Sequence, residues 1–238
     1  MKKIILVVAL ILGFAINIFA DIKLLSTKGD VKIRRGVSEQ WQQIKAGEIL
    51  NYDDAIFIGT KSTATVSING QKKIALPEKT IVEISDLRFL TKEELLLKLA
   101  MDRIIAVPQQ DRRDELMPAQ TTVIHGEKKS ETLAAVKPTV ENALKMLNGA
   151  KLLFDNKFYG TCALRVREVL RIHPTIETGI EYKLLTANSL EKAELYDEAL
   201  SEYTAILNDA KIDSLRDRRS DRNIIEKKIE VLKKKNQQ

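Results

Sequence analysis

The chain has 238 residues, with 39 Lys+Arg against 33 Asp+Glu, one Cys, two His, 44% hydrophobic and 5% aromatic residues. That composition suits one or two small folded domains and excludes a disulfide framework or a cysteine-based zinc cage. The net charge of +6 is spread thinly and concentrates only in residues 211–238, so no basic stripe marks a nucleic-acid partner.

The first twenty residues read as a bacterial export signal. Lys2 and Lys3 precede residues 4–20 (IILVVALILGFAINIFA), which carry no charge and end on the small residue Ala20. Seventeen apolar residues fall just short of the roughly 20 that span a bilayer comfortably. The expectation is cleavage before Asp21 and a periplasmic protein. The alternative is an uncleaved anchor in the inner membrane, and membrane contact is expected only in that form. No Cys lies near residue 20, which excludes a lipoprotein anchor.

Residues 22–90 alternate apolar and polar side chains in short runs between turn residues. The runs predict strands over 22–25, 30–34, 41–44, 55–58, 63–68, 72–76 and 80–84. Asn69-Gly70 marks a hairpin. A three-residue loop over 69–71 sets Val66 opposite Ile74 and Ala64 opposite Leu76, keeping the apolar face together, so that register is expected. Asp53-Asp54 reads as a turn rather than a Ca²⁺ or acid–base pair, since no further ligands lie nearby in sequence. Trp41 reads as a packing residue of a small β core rather than a sugar platform.

The order of these elements resembles the FecR domain, a periplasmic all-β module. The residues that carry the likeness are Gly29, Val31, Ile33, Trp41, Gly47, Leu50, Asp54, Ile56, Ile58, Gly59 and Thr60. Ser62, Ala64, Val66, Asn69, Gly70, Ile74 and Leu76 complete it. Ile58-Gly59-Thr60 inverts the usual Thr-Gly order, and Asn stands for Asp at 69. The resemblance ordinarily implies transmembrane signalling through a cytoplasmic segment that binds a sigma factor. Only Met1-Lys2-Lys3 precedes the apolar run here, so that role is not expected of this chain by itself.

Thr91-Lys92-Glu93-Glu94 is a capping box and predicts a helix over 91–107, closed by Pro108. Its apolar residues Leu95, Leu96, Leu99, Ile104 and Ile105 suggest docking on the β domain. Residues 108–138 contain three prolines and no sustained period, which reads as a linker holding a solvated His125. With little apolar surface to join them, the parts on either side are expected to fold independently.

From residue 139 onward the chain matches itself at an offset of 37, pairing Ala150 with Ala187, Tyr159 with Tyr196, Cys162 with Ala199 and Leu170 with Leu207. Small and aromatic residues at such positions resemble the tetratricopeptide repeat, although that family's period is 34 and three extra residues fall near 175–179. Cys162 then reads as a buried spacer and His173 as a helix terminator. Residues 212–238 read as a solvating cap on the stack, with a membrane-surface or anionic-glycan contact as the sharper alternative.

The expected fold class is α+β in two domains. A signal peptide (1–20) precedes a FecR-like β domain (21–90), a docking helix (91–107), a linker (108–138) and an all-α tetratricopeptide-like stack (139–238). No P-loop, Rossmann glycine pattern, G-x-S-x-G or H-E-x-x-H motif is present, so no enzyme, cofactor or metal is expected. The expected function is an exported adaptor or scaffold that binds another envelope protein. A glycan- or peptidoglycan-binding module, or an accessory subunit of a transmembrane signalling system, is the alternative. The tetratricopeptide resemblance implies a partner-binding face at Lys151, Phe154 and Asp155 in the first unit. In the second unit it implies Asn188, Glu191 and Lys192.

Overall fold

The computed structural model describes residues 22–106, 139–174, 176, 179–209 and 219–235. Among the described residues an N-terminal antiparallel β region in two sheets is followed by a helical region of six helices. His125 and the 108–138 linker lie outside the described residues.

Eight strands are formed: β1 (Ile22–Lys28), β2 (Val31–Arg34), β3 (Gln42–Gln43), β4 (Ile49–Leu50), β5 (Ala55–Ile58), β6 (Thr63–Ile68), β7 (Lys72–Leu76) and β8 (Thr80–Glu83). They build one sheet in the order β4-β1-β6-β7 and another in the order β3-β2-β5-β8. The β6–β7 hairpin has the register expected from its apolar face, with Val66 opposite Ile74 and Ala64 opposite Leu76. Asn69 and Gly70 take φ of 52° and 68°, the left-handed values that an Asn-Gly pair tolerates. The run predicted over 41–44 shrinks to two strand residues, and β4 appears where no strand was expected. Two-residue strands carry too little alternation to be seen in a sequence.

Asp54 shows why the Leu50–Ile56 turn holds its shape. Its buried carboxylate accepts from Arg35 Nη1 (2.6 Å), Asn51 N (2.8 Å) and Gly36 N (3.3 Å). The turn reading of Asp53-Asp54 thus acquires its partners. Ser62 does similar work at the β1–β2 turn, where Asp30 N donates to its hydroxyl at 2.8 Å.

The helices are α1 (Lys92–Ala106), α2 (Val140–Asp155), α3 (Tyr159–Ile172), α4 (Gly179–Lys192), α5 (Tyr196–Leu207) and α6 (Arg219–Lys235). Thr91 caps α1, its hydroxyl accepting from Glu94 N at 3.2 Å. The buried edge of α1, Leu95 and Leu99, does not meet the β sheets as expected. It packs on α3 and joins the apolar cluster that includes Ala163, Ile180, Leu190 and Tyr203. An apolar stripe tells which face is buried, not against what.

The second correction concerns independence. One apolar core runs from Leu24 and Val66 through Ile56 and Val82 into Leu147 and Leu153 of α2, Phe158 at the N-terminus of α3, and Val166 of α3. Helix α2 lies on β8, with Asn148 Nδ2 donating to Lys79 O at 2.8 Å. At the same seam Arg165 is buried and holds three carboxylates: Asp86 at 2.8 Å, Glu83 at 3.1 Å and Glu168 at 2.8 Å. Thr161 Oγ1 donates to Asp86 O at 2.8 Å beside it. Burial lifts the Asp86 carboxyl above the usual range despite the guanidinium alongside. Surfaces sharing a core and a buried ion cluster are not two separate folding units.

Candidate partner-binding face of the helices

Pairs matched at the 37-residue offset occupy like places in successive helical hairpins. Ala150 and Ala187 are fully buried on α2 and α4, and Cys162 and Ala199 are fully buried on α3 and α5. Small residues there let the two helices of each hairpin approach closely. Burial pushes the Cys162 thiol up to about 12, and Ser189 Oγ lies 3.2 Å from its sulfur, as suits a spacer rather than a nucleophile. His173 caps α3, its backbone N–H donating to Val169 O at 2.9 Å.

Two lysine–glutamate pairs link α2 to α4 and α4 to α6. Lys151 Nζ lies 2.6 Å from Glu181 and 4.8 Å from the Tyr182 ring centroid, linking α2 to α4. The hydrogen bond to Glu181 holds the Lys151 ammonium above its ordinary value. On the far side of α4, Lys228 Nζ of α6 donates to Glu191 (2.6 Å), Asn188 (2.8 Å) and Tyr203 (2.9 Å). Tyr203 is fully buried, and its hydroxyl lies 2.7 Å from Asn188 Oδ1 and 2.8 Å from Glu191 Oε2, with one proton to donate between them. Burial first, and then the Glu191 carboxylate, push that phenol well above its ordinary value.

The six residues implied by the repeat resemblance therefore divide. Asp155 and Lys192 are exposed, and Lys151 is 40% exposed. Phe154 is half-buried, packed edge-on to Tyr159 with centroids 5.3 Å apart. Asn188 and Glu191 are occupied within the chain by Lys228 and Tyr203. Sequence reasoning missed those two residues, together with Glu181 and Tyr182. A tyrosine at a repeat's packing position could have signalled a polar partner, because a buried phenol needs one.

A cavity of about 380 Å³ lies among α1, α3, α4 and α5, lined by Asp102, Arg167, Arg171, Lys183 and Glu202 among others. Arg167 sits between the two carboxylates, bonding Asp102 at 2.9 Å and pairing with Glu202. Arg171 reaches Asp102 at 3.3 Å, and Lys183 pairs with Asp209. Trp41 is half-buried on the second sheet, its ring 5.7 Å from Phe57 and 5.8 Å from the Arg34 guanidinium. Among the described residues no three His, Cys, Asp or Glu side chains are grouped to hold a metal, and no helix is long and apolar enough to cross a membrane.

Neither family models, nor the curated proteins, nor the solved structures contain a match to this chain.

Proposed function

We propose that the chain is an exported, non-enzymatic envelope protein that acts as an adaptor, binding a second envelope protein along the face formed by α2, α4 and α6. The N-terminal sheets then serve as a FecR-like module. In this reading α2–α3 and α4–α5 are two tetratricopeptide-like units, the sheets cover the outer side of the first, and α6 closes the second. The supporting observation is the line of side chains across three helices. Lys151–Glu181 links α2 to α4 and Glu191–Lys228 links α4 to α6, while Asp155 on α2 and Lys192 on α4 are exposed.

Interhelical ion pairs with accessible charges of both signs suit an extended polypeptide better than a small apolar ligand. The charged cavity supports catalysis less well, because Arg167 is shared between its two carboxylates. Trp41, with Phe57 and Arg34 against it, offers less open ring face than a sugar platform needs. A crosslinking amino acid placed at Lys192 in cells tests the reading. Attachment to one defined envelope protein, lost when Lys151 and Asp155 are charge-reversed, is the expected result. Crosslinks confined to lipid or cell-wall material would contradict it.

A further inference from the structure

Five large apolar side chains of the β region are exposed: Leu25, Val37, Ile49, Tyr52 and Phe89. Strand register places Ile49, and side-chain contacts place Val37, Tyr52 and Phe89, at one end of the sheets. β1 starts there, with Ile22 opposite Leu50 and Ile68 and Lys23 opposite Ile49. Ile68 in turn faces Lys72, whose Nζ lies 5.3 Å from the Phe89 ring. Arg88 sits 5.7 Å from the Tyr52 ring, and Arg35 Nη1 donates to Ile49 O at 3.1 Å, bringing Val37 two residues on to the same rim. Val37 projects fully into solvent, and Phe89 is 66% exposed. Lys23 and Lys157 are exposed around them, with Asp53 and Asp155 the exposed acids, while the half-exposed Lys72 ammonium donates to Asn156 O at 2.6 Å and lies 3.9 Å from the Phe158 ring centroid. Arg35 and Arg88 are paired with Glu48 and Glu94.

This is also the end at which the preceding chain enters the fold. Residues 4–20 carry no charge, and Asp21 alone separates them from β1. The link from Ala20 to Ile22 reaches at most about 7 Å. If residues 4–20 lie in a bilayer, the rim must therefore rest at headgroup depth.

We propose that this end of the sheets is a membrane-facing surface, with residues 4–20 retained as its tether. Val37, Ile49, Tyr52 and Phe89 enter the boundary between headgroups and acyl chains, and Lys23 and Lys157 meet anionic lipid phosphates. Aromatic and apolar side chains ringed by cations are what that boundary selects. The proposal rests on the uncleaved alternative for residues 4–20 and is independent of the partner face on α2, α4 and α6.

The test uses the full chain in phosphatidylcholine–phosphatidylglycerol vesicles. Trp41→Phe removes the native fluorophore, and Phe89→Trp or Thr63→Trp reports from either end of the sheets, Thr63 lying opposite Lys28 at the far end. Lipids brominated just below the headgroup are expected to quench the residue-89 reporter several-fold more than the residue-63 reporter. Tyr52→Trp supplies the same reading should Phe89→Trp fail to fold. Equal or absent quenching at 89 and 52 in vesicle-bound protein would overturn the proposal. So would a full chain that stays free of the vesicles, or protection of the rim by a protein with no lipid contact.

Discussion

Gly149 of α2 crosses β8 so closely that a methyl group there would stand 2.1 Å from the Ile81 carbonyl oxygen. The helix rests on the strand by backbone contact at that point, and the Val82 side chain closes the space beside it at 3.3 Å. The helical region is therefore seated on the sheets at one residue that tolerates no side chain.

A Gly→Ala change inside an ordinary helix stabilises by roughly 1 kcal/mol through propensity alone. Gly149→Ala should do the reverse, because neither a backbone carbonyl nor a packed strand can yield by an ångström. The expected loss is about 1–3 kcal/mol, the range for overpacking, measured as a lower urea midpoint. A higher midpoint would mean that α2 does not sit on Ile81.

The common core and the Arg165 cluster predict a single cooperative unfolding transition. Near-ultraviolet circular dichroism, which follows Trp41 in the sheets, should coincide with the far-ultraviolet helical signal. Arg165→Met should lower both together by about 3–5 kcal/mol, since it strands buried Asp86 without its cation. Two separated transitions would restore the expectation of independent parts.

That expectation failed for a physical reason, and other features of the fold were legible for equally physical ones. The β6–β7 register follows from Val66, Ile74, Ala64 and Leu76 because only one pairing puts all four on a single face. Thr91 and Glu94 mark the start of α1 because capping is local chemistry. The Gly149–Ile81 seam and the Arg165 cluster join residues 68 to 82 positions apart, so no local pattern records them. The same holds at the candidate face. Asn188 and Glu191 were placed on it by their helical positions, but Lys228, which engages both, comes from a helix some 40 residues later.

Glu191 gives the face a pH signature. Burial works against its charge, yet the hydrogen bonds from Lys228 and Tyr203 together hold its carboxyl below the usual glutamate value. A depressed folded value means that the unfolded chain binds the proton more tightly. This contribution is therefore complete above the unfolded pKa of about 4.3 and is lost as pH falls through the lower folded value. Lys228→Met should lower stability at pH 7 and flatten the loss below pH 5, measured by urea midpoints across that range. An unchanged acid slope would show that the Lys228 contact does not set the Glu191 charge.

Cys162 supplies a check on the spacing of the hairpins. With its thiol pushed up to about 12 and no exposed surface, it should resist a thiol reagent at pH 8 in native protein and react fully in denaturant. Rapid native labelling would mean that α3 and α4 stand further apart than Ser189 and Cys162 place them.

The most direct measurement is binding of the purified partner to the full chain, before and after Lys151→Glu together with Lys192→Glu. Lys192 is exposed and Lys151 is paired at the surface, so the double variant should keep the parent's unfolding midpoint to within a small change. Its affinity should fall at least tenfold, equivalent to about 1.4 kcal/mol of binding energy, with a weaker dependence on salt. Affinity unchanged in a folded double variant would contradict a partner site on α2, α4 and α6.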